Sequence, residues 1–352
     1  MTALSLEQLE EHIAGGKPVV GQALSGARLS GKKLSGGVFE RVDLSDSDMS
    51  DADMRECVFI NCNLDRTRLS GASLSECTIH ECEMNAIDAH GSIWNDADLS
   101  ESTLNRIDFT ETNLENTNFL TSSVQDCCFR SSKIDFTVFA DCNLIRPDFS
   151  HTHLHRIMLL GADLRGAGLD STSFYLAILN EVCLAESDIR GIDFTMCQFI
   201  GADLSAARLD GAVLTQCNFQ QAKLQAASAA NVEASHAIFS SASLARASFA
   251  GSNLAHSIFN EAIAEETDFS GANGYQTIWH GARCSGANFG SMELTYADFS
   301  NADIAMADFG GASMFRTNLH SVLDEGASFT DRKRALGDDR ERLEAERWRP
   351  AV

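Results

Sequence analysis

The 352-residue chain is expected to fold as an all-β, four-sided parallel solenoid, and three observations predict it. A large apolar residue recurs at every fifth position from Leu24 to Leu319, with only Ala89, Ala229, Ala234, Ala264, Gly274 and Cys284 departing from Leu, Ile, Val, Met, Phe or Trp. Two positions earlier stands a small residue, and the position between is often Asp or Asn, as in Ala97-Asp98-Leu99, Ala202-Asp203-Leu204 and Ala307-Asp308-Phe309. Sorted on a twenty-residue period, seventeen of the 21 Phe fall at positions 29, 49, 69 onward and 39, 59, 79 onward, while the other two series carry only Phe174 and Phe194.

A period of five is neither the 3.6 of a helix nor the 2 of a strand, so the chain must turn a corner every five residues. Four corners close a coil, and the twenty-residue segregation of Phe is what four sides predict. The faces are numbered here by their inward centres: face one at 24, 44 onward, face two at 29, 49, face three at 34, 54, and face four at 39, 59. A single coil buries too little to offset the ordering of its backbone. Stability must come from stacking, and both ends need caps.

This grammar of small residue, Asp or Asn, Leu or Phe and two free positions resembles the pentapeptide-repeat family over roughly residues 21–330. The resemblance implies a right-handed quadrilateral β-helix of about 15 coils with short helical termini. Residues 1–20 read as a capping helix and lead-in, because Ser5 and Gln8 form a capping-box pattern, Leu6, Leu9 and Ile13 share a face, and Gly15-Gly16 and Pro18 follow. Residues 331–352 are charged, with Leu336, Leu343 and Trp348 as the large apolar members, and read as a helix or tail. The quinolone-resistance members use a C-terminal element to dimerise, so the resemblance allows a homodimer here, ranked behind simple capping or disorder of this segment.

The net charge of −23 with 44% hydrophobic residues describes a soluble acidic protein, not a disordered tract. No apolar stretch approaches the length of a membrane span and the N-terminus has no signal-peptide core, so a cytoplasmic location is expected. Of eleven cysteines, Cys57, Cys62, Cys77, Cys82, Cys127, Cys142, Cys197 and Cys217 occupy the inward small slot and read as free thiols filling the core. His151, His153 and His155 form the densest imidazole cluster, a surface metal site being weighed against free rings. No nucleophile elbow, phosphate loop or zinc spacing occurs, and the unbroken register leaves no loop to carry a catalytic pair. The sequence therefore reads as a non-enzyme with neither cofactor nor metal.

Function is expected on the outer surface. On face four the outward positions include Val38, Val58, Ile60, Leu120, Val138, Met158, Leu160, Ile178, Ile200, Ile238, Ile258 and Ile278, an aliphatic stripe of the kind that marks protein interfaces. Face two carries Asp48, Asp88, Asp108, Asp148, Asp188, Asp268 and Asp308, with Asp43, Asp163, Asp203 and Asp303 on face one. Such carboxylate ladders suggest mimicry of DNA phosphates, and the quinolone-resistance resemblance implies DNA gyrase or topoisomerase as partner. The lead-in from Ala3-Leu4-Ser5 to Gly31 resembles arrays of bacterial type VI secretion accessory proteins, which implies an adaptor for a secretion effector or spike component. The long loopless array ranks the protein-binding scaffold first and gyrase-directed mimicry second. The core is expected to thin or bend near residues 229–284, with Tyr275 filling the gap beside Gly274.

Overall fold

A computed structural model of the chain describes residues 5–348. They form a right-handed quadrilateral β-helix, a parallel solenoid of about 16 turns with two short helices. The described residues fall into two compact units, one up to Leu179 and one from Asn180, a division for which the unbroken register gives no signal. The outer ends of the predicted cap and tail, residues 1–4 and 349–352, lie outside the described residues.

In the first unit, face four is a seven-stranded parallel sheet running from Val19–Val20 to Val138–Ala140, and face one carries four strands from Glu83–Asn85 to Asn143–Ile145. Each strand pairs with residues twenty positions away, as Phe39 with Phe59. In the second unit most coils meet through single parallel bridges such as Ile238 to Ile258 and Ile258 to Ile278. Either way the chain is extended for about three residues, which points the middle residue inward and its neighbours out.

The corners follow one rule. Every fifth residue from Gly16 to Gly326 has positive φ, and only 18 of these are glycine while 45 are not. The carbonyl of a centre accepts the N–H three residues on, as Leu24 does from Ala27 at 3.0 Å, with the positive-φ residue third in the turn as a type II geometry demands. Left-handed backbone costs an L-residue about 1–2 kcal/mol, and a β-branched one fits it worst. Thr121, at φ 50°, is the β-branched member of the set. We expect Thr121→Gly to raise stability by up to about 1 kcal/mol in urea unfolding, whereas a loss would show that the threonine's own contacts outweigh its strain.

The motif's other two positions also have physical causes. Asp before a centre accepts the backbone N–H two residues on, as Asp203 does from Ser205 (3.0 Å) and Asp108 from Thr110 (3.0 Å), which satisfies an outward donor at the turn. In the small slot, Thr, Ser or Cys donates to the carbonyl of a centre in the preceding coil: Thr137 to Leu114 (2.7 Å), Ser257 to Ala234 (2.7 Å), Cys217 to Phe194 (2.8 Å). The thiols must stay protonated to do this. Burial pushes Cys127 up to about 12 and Cys217 well above its ordinary value. All eleven cysteines are free, and of the eight assigned inward, Cys142 is half-buried.

Along the axis the Phe of faces two and four stack on themselves, as Phe119 on Phe139 at 4.6 Å, and meet edge to face across the coil, as Phe119 with Phe129 at 6.4 Å. The expected thinning near 229–284 is compensated. Ala229, Ala234, Ala264 and Cys284 are fully buried. Trp279 is inserted between Phe259 and Phe299, and its indole N–H donates to Thr277 Oγ1 at 2.9 Å. A Cβ on Gly274 would lie 2.4 Å from Met292 Cε, so Met292 and Leu294 fill that space. Tyr275 does not fill it; its outward corner position turns the ring to the surface.

Helix α1, Leu6–Ala14, closes the N-terminal end with Leu9 and Ile13 buried, while Leu6 is exposed, contrary to its place in the predicted buried face. The Ser5 and Gln8 capping box forms in both directions. At the other end the segment reaching Leu336 runs beside face four, with Leu336 N–H on Thr317 O and Leu319 N–H on Leu336 O, so that edge is paired. Helix α2, Arg340–Arg347, follows. No helix among the described residues is long and apolar enough to cross a membrane.

Candidate functional site

A coil that points one residue inward and two outward leaves its chemistry on flat faces and corners. The aliphatics assigned to face four all reach that surface. Val38, Leu120, Leu160 and Ile278 are exposed; Val58, Ile60, Val138, Met158, Ile178, Ile200, Ile238 and Ile258 are half-buried. Coils spaced at about 4.8 Å cover one another's flanks, which explains the partial burial.

The stripe is nevertheless broken into blocks. In the first unit Val38 and Val58 are followed by Thr78, Asp98 and Asn118 before Val138, Met158 and Ile178 take over. In the second unit Gln198 and Asn218 precede Ile238, Ile258 and Ile278, and Asp298 and Asn318 end the block. In the column before the centres, two runs of three aliphatics in consecutive coils, one per unit, therefore stand out, with Ile60, Leu120, Leu160 and Ile200 in the column after the centres.

The acidic column of face two is interrupted as well, this time by cations. Arg28, Asp48, Arg68, Asp88 and Asp108 succeed one another, and Arg208 follows Asp188. Arg68 pairs with Asp48, Arg130 with Asp148, and both Arg190 and Arg208 with Asp188. Asp88 accepts from Ser70 and His90, Asp268 from Ser270 and Asn288, and Asp308 from Gly310 and Ser328. The Ser50 hydroxyl, helped by that residue's own N–H and by Arg68 against an opposing burial effect, holds Asp48 below the usual carboxylate range, and Arg190 does the same for Asp188. These groups are turn fasteners and ion-pair partners, not a free anionic array. The interleaved arginines stand at the same twenty-residue spacing in the sequence as the aspartates they interrupt.

The imidazole cluster lines a groove of about 250 Å³ with Ser131, Lys133 and Asp135. His153 Nδ1 meets Ser173 Oγ at 2.7 Å, and His155 faces Asp135 at 3.9 Å. Among the described residues no group of three or more His, Cys, Asp or Glu is placed to hold a metal ion.

A further feature escaped the sequence reading. All three tyrosines, Tyr175, Tyr275 and Tyr296, and both exposed phenylalanines, Phe136 and Phe315, occupy the two corner positions between faces three and four. In the second unit they make a continuous edge: His236 stacks on His256 (4.7 Å), His256 meets Tyr275 (5.6 Å), Tyr275 meets Tyr296 (6.1 Å) and Tyr296 meets Phe315 (5.8 Å). This edge adjoins the block of Ile238, Ile258 and Ile278. Columns of corner residues at a spacing of twenty would have revealed it.

The fold and its surface define a repeat solenoid that presents faces and edges to its surroundings. A profile described as "Pentapeptide repeat region" matches residues 33–109 and 192–269, and one for pentapeptide repeats in eight copies matches 95–130 and 282–320. The chain belongs to the pentapeptide-repeat family. Solved structures similar to it include QnrB1, a plasmid-mediated fluoroquinolone resistance protein, at 20% identity, covering 55% of this chain and 98% of that one with a TM-score of 0.37. Also similar is HetL, involved in heterocyst differentiation regulation in the cyanobacterium Nostoc sp. strain PCC 7120, at 19% identity over 93% of this chain and 100% of that one, TM-score 0.21. Rfr23 from the cyanobacterium Cyanothece 51142 is 28% identical over 29% of this chain and 64% of its own, TM-score 0.22. These likenesses concern the repeat and say nothing of function. No curated protein matches the chain in sequence.

Proposed function

We propose that the chain is a non-catalytic protein-binding scaffold whose partner docks on face four. The observation that carries this is the run of surface aliphatics in register in each unit, Val138, Met158 and Ile178 in the first and Ile238, Ile258 and Ile278 in the second. A flat, surface-facing parallel sheet rimmed by Thr, Asn, Gln and Asp gives a partner apolar area to bury without unfolding anything. The finer form of the reading is a cytoplasmic adaptor for a bacterial secretion effector, which the resemblance of the lead-in up to Gly31 supports. Self-association through the C-terminal end belongs to it too, since Leu323, Leu336 and Trp348 are exposed there. Gyrase-directed DNA mimicry is the weaker reading, because arginines and turn donors already engage the face-two carboxylates.

The test is affinity recovery of binding proteins from lysate by the wild-type chain and by two triple variants, Val138→Ser/Met158→Ser/Ile178→Ser and Ile238→Ser/Ile258→Ser/Ile278→Ser. Expected is recovery that resists high salt and falls about tenfold or more in at least one variant whose circular dichroism is unchanged. Equal recovery by both variants would remove face four from the reading. Salt-sensitive recovery of a DNA-binding enzyme would restore the mimic.

A further inference from the structure

We infer that the aromatic edge of the second unit, built on Tyr275, Tyr296 and Phe315 beside Ile258 and Ile278, takes a basic amphipathic segment of a partner protein. The inference rests on the scaffold reading above and names the chemistry of the partner.

The first support is where the chain accepts strain. Among the non-glycine residues at positive φ, the bulky apolar ones are Phe136, Leu176, Met196, Tyr296 and Met306, and the first four stand at this same corner position. Tyr296 is 43% exposed, so its unfavourable backbone is not offset by core burial. Large rings gathered at one corner and left in solvent serve something outside the fold.

The second support is charge. Between Glu233 and Asp298 this edge and face four hold neither Lys nor Arg, in a chain that carries 27 of them; cations enter at its far end, where Arg316 follows Phe315 and Arg334 Cζ lies 5.9 Å over the Phe315 ring. Glu233, Glu261, Glu293 and Asp298 border the patch; neutral donors reach three of them, Asn253 on Glu233, the Thr295 N–H on Glu293, and Ser300 and Asn318 on Asp298, but among the described residues none of the four is in an ion pair, whereas Asp188 and Asp203 elsewhere in the unit are. Carboxylates at the rim with rings and isoleucines between them match cations at the margins of an apolar stripe. The chain itself supplies the precedent: in the first unit, at the equivalent corner, Arg156 Cζ lies 3.9 Å over the Phe136 ring. At Tyr275 and Tyr296 the partner provides that cation.

The third support is geometry. Successive rings from His256 to Phe315 meet at 79–87°, so they present alternating edges and faces instead of the coplanar row on which sugar rings stack. The edge runs through five coils, about 20 Å, the length of a helix of about 13 residues.

The experiment is selection of phage-displayed random 12-residue peptides on the immobilised full-length chain, followed by anisotropy titration of the leading synthetic peptide. The comparison proteins are the edge variant Tyr275→Ser/Tyr296→Asn/Phe315→Ser, the face variant Ile238→Ser/Ile258→Ser/Ile278→Ser and the rim variant Glu261→Gln/Glu293→Gln/Asp298→Asn. All these positions face outward, and circular dichroism melts verify each fold. Expected are peptides enriched in Lys or Arg with aliphatics three and four apart, whose affinity falls about tenfold in the edge variant and severalfold in the rim variant. Enrichment of neutral or acidic peptides, or no enrichment, overturns the inference and leaves the scaffold reading to its own test. Peptides that bind the edge variant fully but lose the face variant also overturn it while supporting the scaffold. Peptides kept by both variants sink both readings at this unit. Binding of cellohexaose or chitohexaose that is lost in the edge variant would assign the edge to saccharides and overturn the inference.

Discussion

Trp279→Ala is expected to destabilise the second unit by about 3–5 kcal/mol, as deletion of a large buried aromatic does. Trp279 is 0% exposed. It stacks on Phe259 at 3.9 Å and on Phe299 at 5.4 Å, and meets Phe269 and Phe289 edge to face, so one substitution disrupts contacts in three consecutive coils. The neighbouring centres in the same coil, Gly274 and Cys284, are too small to refill the void. In a solenoid, stability is a sum over neighbouring coils, and a weakened interface lets the unit open there. Urea unfolding followed by circular dichroism measures the loss, and hydrogen exchange locates it. A loss below about 1 kcal/mol would mean that the coil closes around the vacancy. Thr277→Val is a milder companion, leaving the indole N–H buried without its acceptor at a cost of about 1–3 kcal/mol.

The second large effect is local. His320 is 1% exposed beneath the C-terminal segment. Its Nδ1 accepts the Asp339 backbone N–H at 3.1 Å, which places the ring proton on Nε2, where it donates to Glu346 at 3.1 Å. Helix α2 has eight residues and would be marginal alone, so this ring and the Asp339 cap hold it in place. His320→Ala is expected to abolish hydrogen-exchange protection in α2 while the coils before it keep theirs; protection retained in α2 would show that the cap suffices. The His320 bond, followed by Arg342, holds the Glu346 carboxyl below its ordinary value of 4.5. A carboxyl depressed in the folded state stabilises docking above that value and loses the contribution as pH falls through the lowered one. Protection of α2 is therefore expected to hold from neutral pH down to about 4.5 and to weaken as the pH falls from there through the lowered value, which hydrogen exchange across that range measures.

The coil architecture was legible in the sequence because the inward position admits so few residue types that its period survives over the whole array. Centres such as Leu204 and Phe239 are buried where the register puts them. The corner backbone was not legible. Its residues face solvent, so Arg66, Glu181 and Met196 all occupy it, and the closure of the coil imposes their positive φ. Face four was readable as a list of aliphatics, yet its division into blocks required the intervening Thr78, Asp98, Gln198 and Asn218 to be placed in the same column. On the acidic face the sequence shows the charges of Asp48 and Asp188 but not their partners, and the structure engages each with arginines and turn donors one coil or two residues away. Tyr275 was assigned to a gap because Gly274 adjoins it in sequence, whereas Met292, one coil later, adjoins it in space.

The left-handed residue at every fifth position turns the chain into a counting frame. Inserting or deleting one residue between Gly16 and Gly326 would carry every later centre out of the inward slot and one of its outward neighbours into it. A change of five would keep each residue's role but rotate all later coils by one face, setting Leu columns on Phe columns. Only steps of twenty are silent. Such a molecule tolerates broad drift in side chains yet changes length in whole coils, each adding about 4.8 Å to its stack.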